Sequence, residues 1–351
     1  MIIIDGHLDI AWNAIQWDRD LEKTVAEIRK AEAGWKEKGR AMGTVALPEL
    51  RRGNVALSFV TTLGRFTGRP IPGADYRSHA AAYAAAKGQL AYYRLLEAKG
   101  VARIVTDRTT LDRHMDEWQS KNGSNVPLGF LFTMESADPV QSPDQLSEWW
   151  DAGVRAIGPA HYGPGVYAHG TGSKGGLTPV GRELVRRMKQ IGFVLDVTHL
   201  DDPAFWEALE IFDGPIWASH NNCRALVPAQ RQFSDDQLRE IIRRDGVIGA
   251  VFDNWMLFPN YKMGETPNTC ASIADVVNHI DHVCQLAGNA NHAAIGSDLD
   301  GGYGREQSPH DLDTIANLQQ VPVILRQRGY NEADIEKIAH GNWLRVLRRA
   351  L

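Results

Sequence analysis

Ile3-Ile4-Asp5-Gly6-His7-Leu8-Asp9 is a short apolar run that ends in residues able to hold a cation, and the same grammar returns along the chain. It recurs in Leu131-Phe132-Thr133-Met134-Glu135, Val194-Leu195-Asp196-Val197-Thr198-His199, Ile216-Trp217-Ala218-Ser219-His220 and Ile295-Gly296-Ser297-Asp298. Such runs read as buried strands of a parallel sheet. Alternate side chains of an extended strand share a face, so His7 and Asp9 point the same way and can hold one cation together. His199, His220 and Glu135 then complete a second site, with the carboxylate bridging. Histidine nitrogen and carboxylate oxygen are the donors catalytic zinc uses when one position stays open for water. Two such ions clamp both the attacking and the leaving atoms, so the pattern predicts a metallohydrolase with two zinc ions.

Outward from these motifs, eight short apolar segments recur at residues 2–5, 55–61, 128–134, 154–158, 193–197, 216–218, 247–251 and 293–296. Between them lie stretches of helical periodicity at 80–99, 143–152, 179–190, 203–212, 234–244, 273–287 and 315–328. Thr178-Pro179 places proline at a first helical position, and Ser234-Asp235-Asp236-Gln237 reads as a capping box. Strand and helix alternating eight times predict an α/β fold of the (β/α)8 TIM-barrel kind. No low-complexity linker or internal repeat interrupts it, so residues 1–351 are expected to form one domain. The longest irregular stretches, 163–176 and 254–269, follow the fourth and seventh strands. On a barrel both fall at the face where active sites are built, which makes them candidate substrate walls.

With 351 residues and 43% hydrophobic content the chain can bury a large core. A formal charge of −5 leaves no electrostatic footprint for nucleic acid. Three cysteines without CxxC spacing suit a reducing compartment. The first motif starts within five residues of Met1 and no apolar run has the length of a membrane span. The expectation is a soluble cytoplasmic protein with no nucleic-acid or membrane partner, and with a homodimer as its candidate assembly.

An arbitrary histidine is usually structural. His7, His199 and His220 differ because each ends a strand in a barrel whose strand ends converge. His279 and His282 fall on a helix, while His114, His292, His310 and His340 lack such a setting and read as structural. His79 and His169 stay open. Asp5 and Asp196 read as supports that accept backbone hydrogen bonds near the barrel mouth, not as ligands. The run Gly170-Thr171-Gly172-Ser173-Lys174-Gly175-Gly176 matches no phosphate-binding loop and reads as an active-site loop.

Over nearly its whole length, from Asp5-Gly6-His7-Leu8-Asp9 to Gly341-Asn342-Trp343-Leu344-Arg345-Val346, the chain resembles the renal (membrane) dipeptidase family, peptidase family M19 of the amidohydrolase superfamily. The most specific pieces are Gly176-Leu177-Thr178-Pro179 through Leu195-Asp196-Val197-Thr198-His199, the Ser219-His220 segment leading to Arg231, and Gly296-Ser297-Asp298-Leu299-Asp300-Gly301. The resemblance implies that His7 and Asp9 bind one zinc, His199 and His220 the other, and Glu135 both. It implies that His161 contacts the substrate carbonyl, that Arg231 engages the substrate carboxylate, and that Asp298 manages the catalytic proton. The implied reaction is hydrolysis of a dipeptide, L-Xaa-L-Xaa or L-Xaa-D-Xaa, by a hydroxide held between the two zinc ions.

Two positions depart from the family. Asp253 stands where the renal enzymes carry tyrosine, making the pocket wall acidic, and Ser136 replaces the glycine common after the bridging glutamate. Other amidohydrolase-type reactions stay open at this stage: an N-acyl amino acid amidase, a lactonase, a phosphoester hydrolase or, from another class, a metal-binding protein without activity. Arg231 favours substrates that end in a carboxylate, and intact His161, Asp298 and Arg231 argue for catalysis over binding alone.

Overall fold

The computed structural model describes residues 1–67 and 74–351. Its strands are β1 (Ile3–Leu8), β2 (Val55–Leu63), β3 (Ala102–Ile104), β4 (Leu128–Glu135), β5 (Val154–Gly158), β6 (Val194–Asp196), β7 (Ile216–Trp217), β8 (Ile248–Ala250) and β9 (Ala293–Ile295). All pairings are parallel, in the order β7-β6-β5-β4-β2-β1-β9-β8. The path closes where Ala218 N–H donates to Val247 O and Gly249 N–H donates to Ala218 O, both at 2.9 Å. The result is the expected TIM-type barrel, with every residue of β2 and β4 buried, as strands covered on both faces require.

β3 is the strand the sequence pattern did not reveal. It pairs with the first half of β4, at Leu128, Gly129 and Phe130, while β5 takes the second half from Phe132 onward. Two strands thus share one edge of β4, and β3 stands outside the ring of eight.

The interior below the mouth is filled by aromatic rings. β2 and β7 lie on opposite sides of the ring, so the 5.0 Å contact between Phe59 and Trp217 crosses the barrel. Trp343, from the helix Asn342–Ala350, reaches both, at 4.8 Å from Phe59 and 5.9 Å from Trp217. Its indole N–H donates to Ile295 O at 2.9 Å, which satisfies the polar end of the buried ring. The carbonyl of Ser219 fills the adjacent space so closely that a Cβ on Gly296 or Gly249 would lie 1.8 or 2.1 Å from it. Glycine is therefore required at both positions.

The helices begin as their caps dictate. Thr178 accepts from Gly181 N–H ahead of the helix Pro179–Ile191, and Ser234 and Gln237 form a reciprocal capping box on Asp235–Arg243. Among the described residues, no helix is long and apolar enough to cross a membrane, and the three cysteines are free thiols.

Candidate active site

Every proposed ligand sits at the C-terminal rim of the barrel. His7 and Glu135 lie inside strands, Asp9 one residue past β1, and His161, His199, His220, Asp253 and Asp298 three residues past β5, β6, β7, β8 and β9. Simple strand alternation does not bring His7 and Asp9 together. β1 bulges between Asp5 and Leu8, where three steps answer two along β2, and Asp9 has left the strand to precede the helix Ile10–Gln16. The two side chains still converge, at 3.6 Å. His199 and Asp298 adopt left-handed backbone, with φ of 68° and 57°, and Ser136 does the same at 70°. Such residues cost strain that recurs at functional sites. Ser136 thus holds a backbone conformation that glycine adopts at no steric cost.

The donor atoms meet around Glu135. Its Oε1 lies 3.1 Å from His199 Nε2, 3.2 Å from His220 Nε2 and 3.6 Å from His161 Nε2, while Oε2 lies 3.7 Å from His7 Nε2. His199 and His220 bring their Nε2 atoms to 3.1 Å of each other. Three overlapping sets result, His7 with Asp9 and Glu135, Glu135 with His199 and His220, and His7 with His220 and Asp298. Buried polar atoms normally have partners, yet among the described residues His7 Nε2 and Asp9 Oδ1 have no hydrogen-bond partner. These orphaned nitrogen and oxygen atoms are the donor types that divalent cations take. The outer nitrogens are anchored: Thr171 Oγ1 is 2.8 Å from His199 Nδ1, and Ser219 Oγ is 2.9 Å from His220 Nδ1. Such outer contacts orient ligand rings.

Electrostatics agree. Burial, reinforced by the Arg231 charge, holds His199 neutral far below the usual histidine range, and burial with the charge of His7 does the same for His220. Neutral imidazole is the form that ligates. His7 is the exception: burial opposes its charge, but Glu135, Asp9 and Asp298 outweigh it and push the group up to about 10. Glu135 is pushed up to about 7 by burial, against the pull of His7. Asp298 is raised well above the carboxylate range by burial, with His7 opposing and Glu135 and Asp9 assisting. At 16% exposure its side chain is more open than those of the five proposed ligands.

A cavity of about 650 Å³ opens over this cluster. Arg231 lines it, almost fully buried, with Nη1 donating to Asn221 Oδ1 at 2.7 Å and Nη2 to His220 O at 2.8 Å. Among the described residues no carboxylate lies within 4.0 Å of its nitrogens, so its charge is left for a ligand. Asp253 lines the same cavity, accepting from Gln307 Nε2 at 2.7 Å and Trp255 N–H at 3.2 Å through Oδ1. Burial pushes it up to about 6.

Asp5 accepts from Ser297 N–H at 2.7 Å and from its hydroxyl at 2.5 Å, and Asp196 accepts from the Thr198 and Ser219 amides at 3.1 Å. Both are supports of the rim, as their sequence setting suggested. His114 and His292 likewise lie beside backbone carbonyls, those of Ala56 and Gly246. The 254–269 segment does wall the cavity, through Trp255, Met256 and Met263. The 163–176 segment does not. Its Thr171 reaches behind His199, because the bridges Tyr162–Thr171 and Pro164–His169 fold it back toward the rim. Sequence reasoning missed Arg65, two residues past β2, which lies 3.3 Å from His161 Nδ1. Its only sequence signal was a position four residues past the strand expected at 55–61.

The family model for membrane dipeptidases, peptidase family M19, matches residues 1–351. A Klebsiella pneumoniae protein, the uncharacterized protein in the pqqA 5' region, is 34% identical over 212 residues, covering 58% of this chain and 74% of that protein. The uncharacterized dipeptidase C3A11.10c of Schizosaccharomyces pombe is 30% identical over 209 residues, 58% of this chain and 49% of its own length. The match thus spans about half the length of that relative. The crystal structure of a Rhodobacter sphaeroides metallopeptidase liganded with a phosphinate mimic of the dipeptide L-Ala-D-Ala superposes with a TM-score of 0.78 at 23% identity, covering 100% of this chain and 99% of that one. This likeness shows a shared fold.

Proposed function

The chain belongs to the membrane dipeptidase family, peptidase family M19, and from that premise we propose that it is a dipeptidase working with two zinc ions. His7 and Asp9 would hold one ion, His199 and His220 the other, and Glu135 both. One observation carries this reading: the two Glu135 oxygens address different partners, Oε2 facing His7 and Oε1 facing His199 and His220. Paired divalent cations supply a nucleophile at neutral pH by acidifying water, and they offset the negative charge that develops on the attacked carbonyl.

The chain's own groups do the rest. The Arg231 guanidinium takes the substrate carboxylate through two parallel hydrogen bonds and so fixes where the scissile bond lies. His161 Nε2 donates to the carbonyl oxygen as it becomes negative, a role whose loss elsewhere costs about two to three powers of ten in rate. Asp298 takes a proton at its carboxylate and returns it to the leaving amine. Asp253 faces a cation, either the free ammonium or a basic side chain. The ligand of the Rhodobacter sphaeroides protein supports including substrates with a D-residue at the C-terminal position.

Two measurements test the proposal together. Metal analysis after removal of loosely bound ions should find about two zinc ions per chain. The zinc-loaded protein should cleave L-Xaa-L-Xaa or L-Xaa-D-Xaa dipeptides in preference to lactones, N-acyl amino acids and phosphoesters. Folded protein that takes up no metal, or that hydrolyses only the other classes, would overturn it.

A further inference from the structure

Arg65 is an expensive residue to keep where it is. Its side chain is 5% exposed, Asp75 Oδ2 is 3.4 Å from Nε, and among the described residues that Nε has no hydrogen-bond partner. Asp75 is itself committed to Thr67, whose N–H and hydroxyl donate to it at 2.9 and 2.8 Å. The guanidinium is thus in a buried ion pair and also lies 5.8 Å from the centre of the Tyr162 ring, and a buried pair of this kind adds little stability by itself. Its Nη1 stands 3.3 Å from His161 Nδ1.

The geometry is held from both sides. Arg65 N–H donates to Ala74 O, and Tyr76 N–H donates back to Arg65 O, so the residue sits in a short paired turn. Buried Asp138 ties the two loops together, accepting from Phe66 N–H on the Arg65 side and Val166 N–H on the His161 side, each at 2.8 Å. The chemistry then allows one arrangement. Guanidinium only donates, so the nitrogen it addresses must present a lone pair, and in neutral imidazole the proton must lie on the other nitrogen.

We infer that Arg65 is a positioning residue that fixes His161 in the Nε2–H tautomer and aims that N–H into the cavity. Nδ1 is occupied, and Nε2 points to the Glu135 side of the cluster, 3.6 Å from Oε1. The adjacent positive charge also polarises the ring, making Nε2–H a stronger donor to a developing oxyanion. The catalytic consequence rests on the dipeptidase reading, but the tautomer does not.

The test uses zinc-loaded protein with 15N-labelled histidine, the His161 signals being assigned by their loss in His161→Gln. Ring nitrogens with and without a proton resonate far apart, so the spectrum reports the tautomer directly. The unmodified protein should show His161 protonated at Nε2 alone. In Arg65→Met that single state should give way to a mixture, and kcat on a dipeptide should fall by about ten- to a hundredfold, with KM changed by no more than about twofold. Arg65→Lys, which keeps a donor and a charge, should restore part of both. A proton on Nδ1 in the unmodified protein would overturn the inference whether or not any variant folds. So would an Arg65→Met variant whose His161 signals match the unmodified ones. If no dipeptide is cleaved at all, the activity reading fails while the tautomer still decides the role of Arg65.

Discussion

Arg231→Ala separates recognition of a substrate carboxylate from service to the fold. Among the described residues the side chain spends two of its five N–H groups on Asn221 Oδ1 and His220 O and meets no carboxylate within 4.0 Å, so three donors and the charge are left for a ligand. Losing one member of a desolvated charged pair costs about 2 to 5 kcal/mol. At about 1.36 kcal/mol per tenfold change, kcat/KM for free dipeptides should fall by about thirtyfold to about five-thousandfold. A C-terminally amidated dipeptide has no carboxylate to lose, so it should react poorly with the unmodified protein and lose less than about tenfold on substitution. The bond from Nη2 to the His220 carbonyl adds a control, because slackening it disturbs a proposed ligand. Metal content is therefore measured alongside the rates. Equal losses on free and amidated substrates at full metal content would refute carboxylate capture and reopen the broader hydrolase assignment.

Asp298→Asn should keep its metal and lose kcat by at least about a hundredfold, since the amide cannot take up and return a proton; a nearly unchanged kcat removes Asp298 from the reaction. Asp253, pushed up to about 6 by burial, carries its charge above that pH and loses it below. Preference for basic over neutral dipeptides, read as a ratio of kcat/KM, should therefore decline as pH falls through about 6 and be absent at every pH in Asp253→Asn; an unmoved ratio excludes the contact. Trp343→Ala empties the space between Phe59 and Trp217 and should destabilise the fold by about 3 to 5 kcal/mol in denaturant titration. A loss below about 1 kcal/mol would mean the surrounding rings close the gap.

The ring of eight strands was readable because parallel barrel strands are buried on both faces and betray themselves as apolar runs. β3 escaped because Ala102–Ile104 is too short to show a pattern. The proposed ligands were readable for a local reason: each lies at or just past the C-terminal end of a strand. What local pattern could not supply was the route by which they meet. His7 and Asp9 converge through a bulge that strand alternation does not contain. Arg65 meets His161 across 96 positions, and Thr171 reaches behind His199 through a loop expected to face the substrate. These partners are set by tertiary folding, which single-strand patterns do not encode.

The Trp343 plug and the pairing of β1 with β9 bear on how the molecule is born. Asp5 and Ile295 are register partners 290 positions apart, and at about 5 to 20 residues per second a ribosome takes about 15 to 60 seconds to make the second after the first. During that interval β1 already carries His7 but has a vacant edge, and the ring cannot be sealed from below. The nascent barrel is an open, adhesive sheet until its last helix arrives. The proposed site, whose residues run from β1 to just past β9, is therefore complete only once Asp298 has been made.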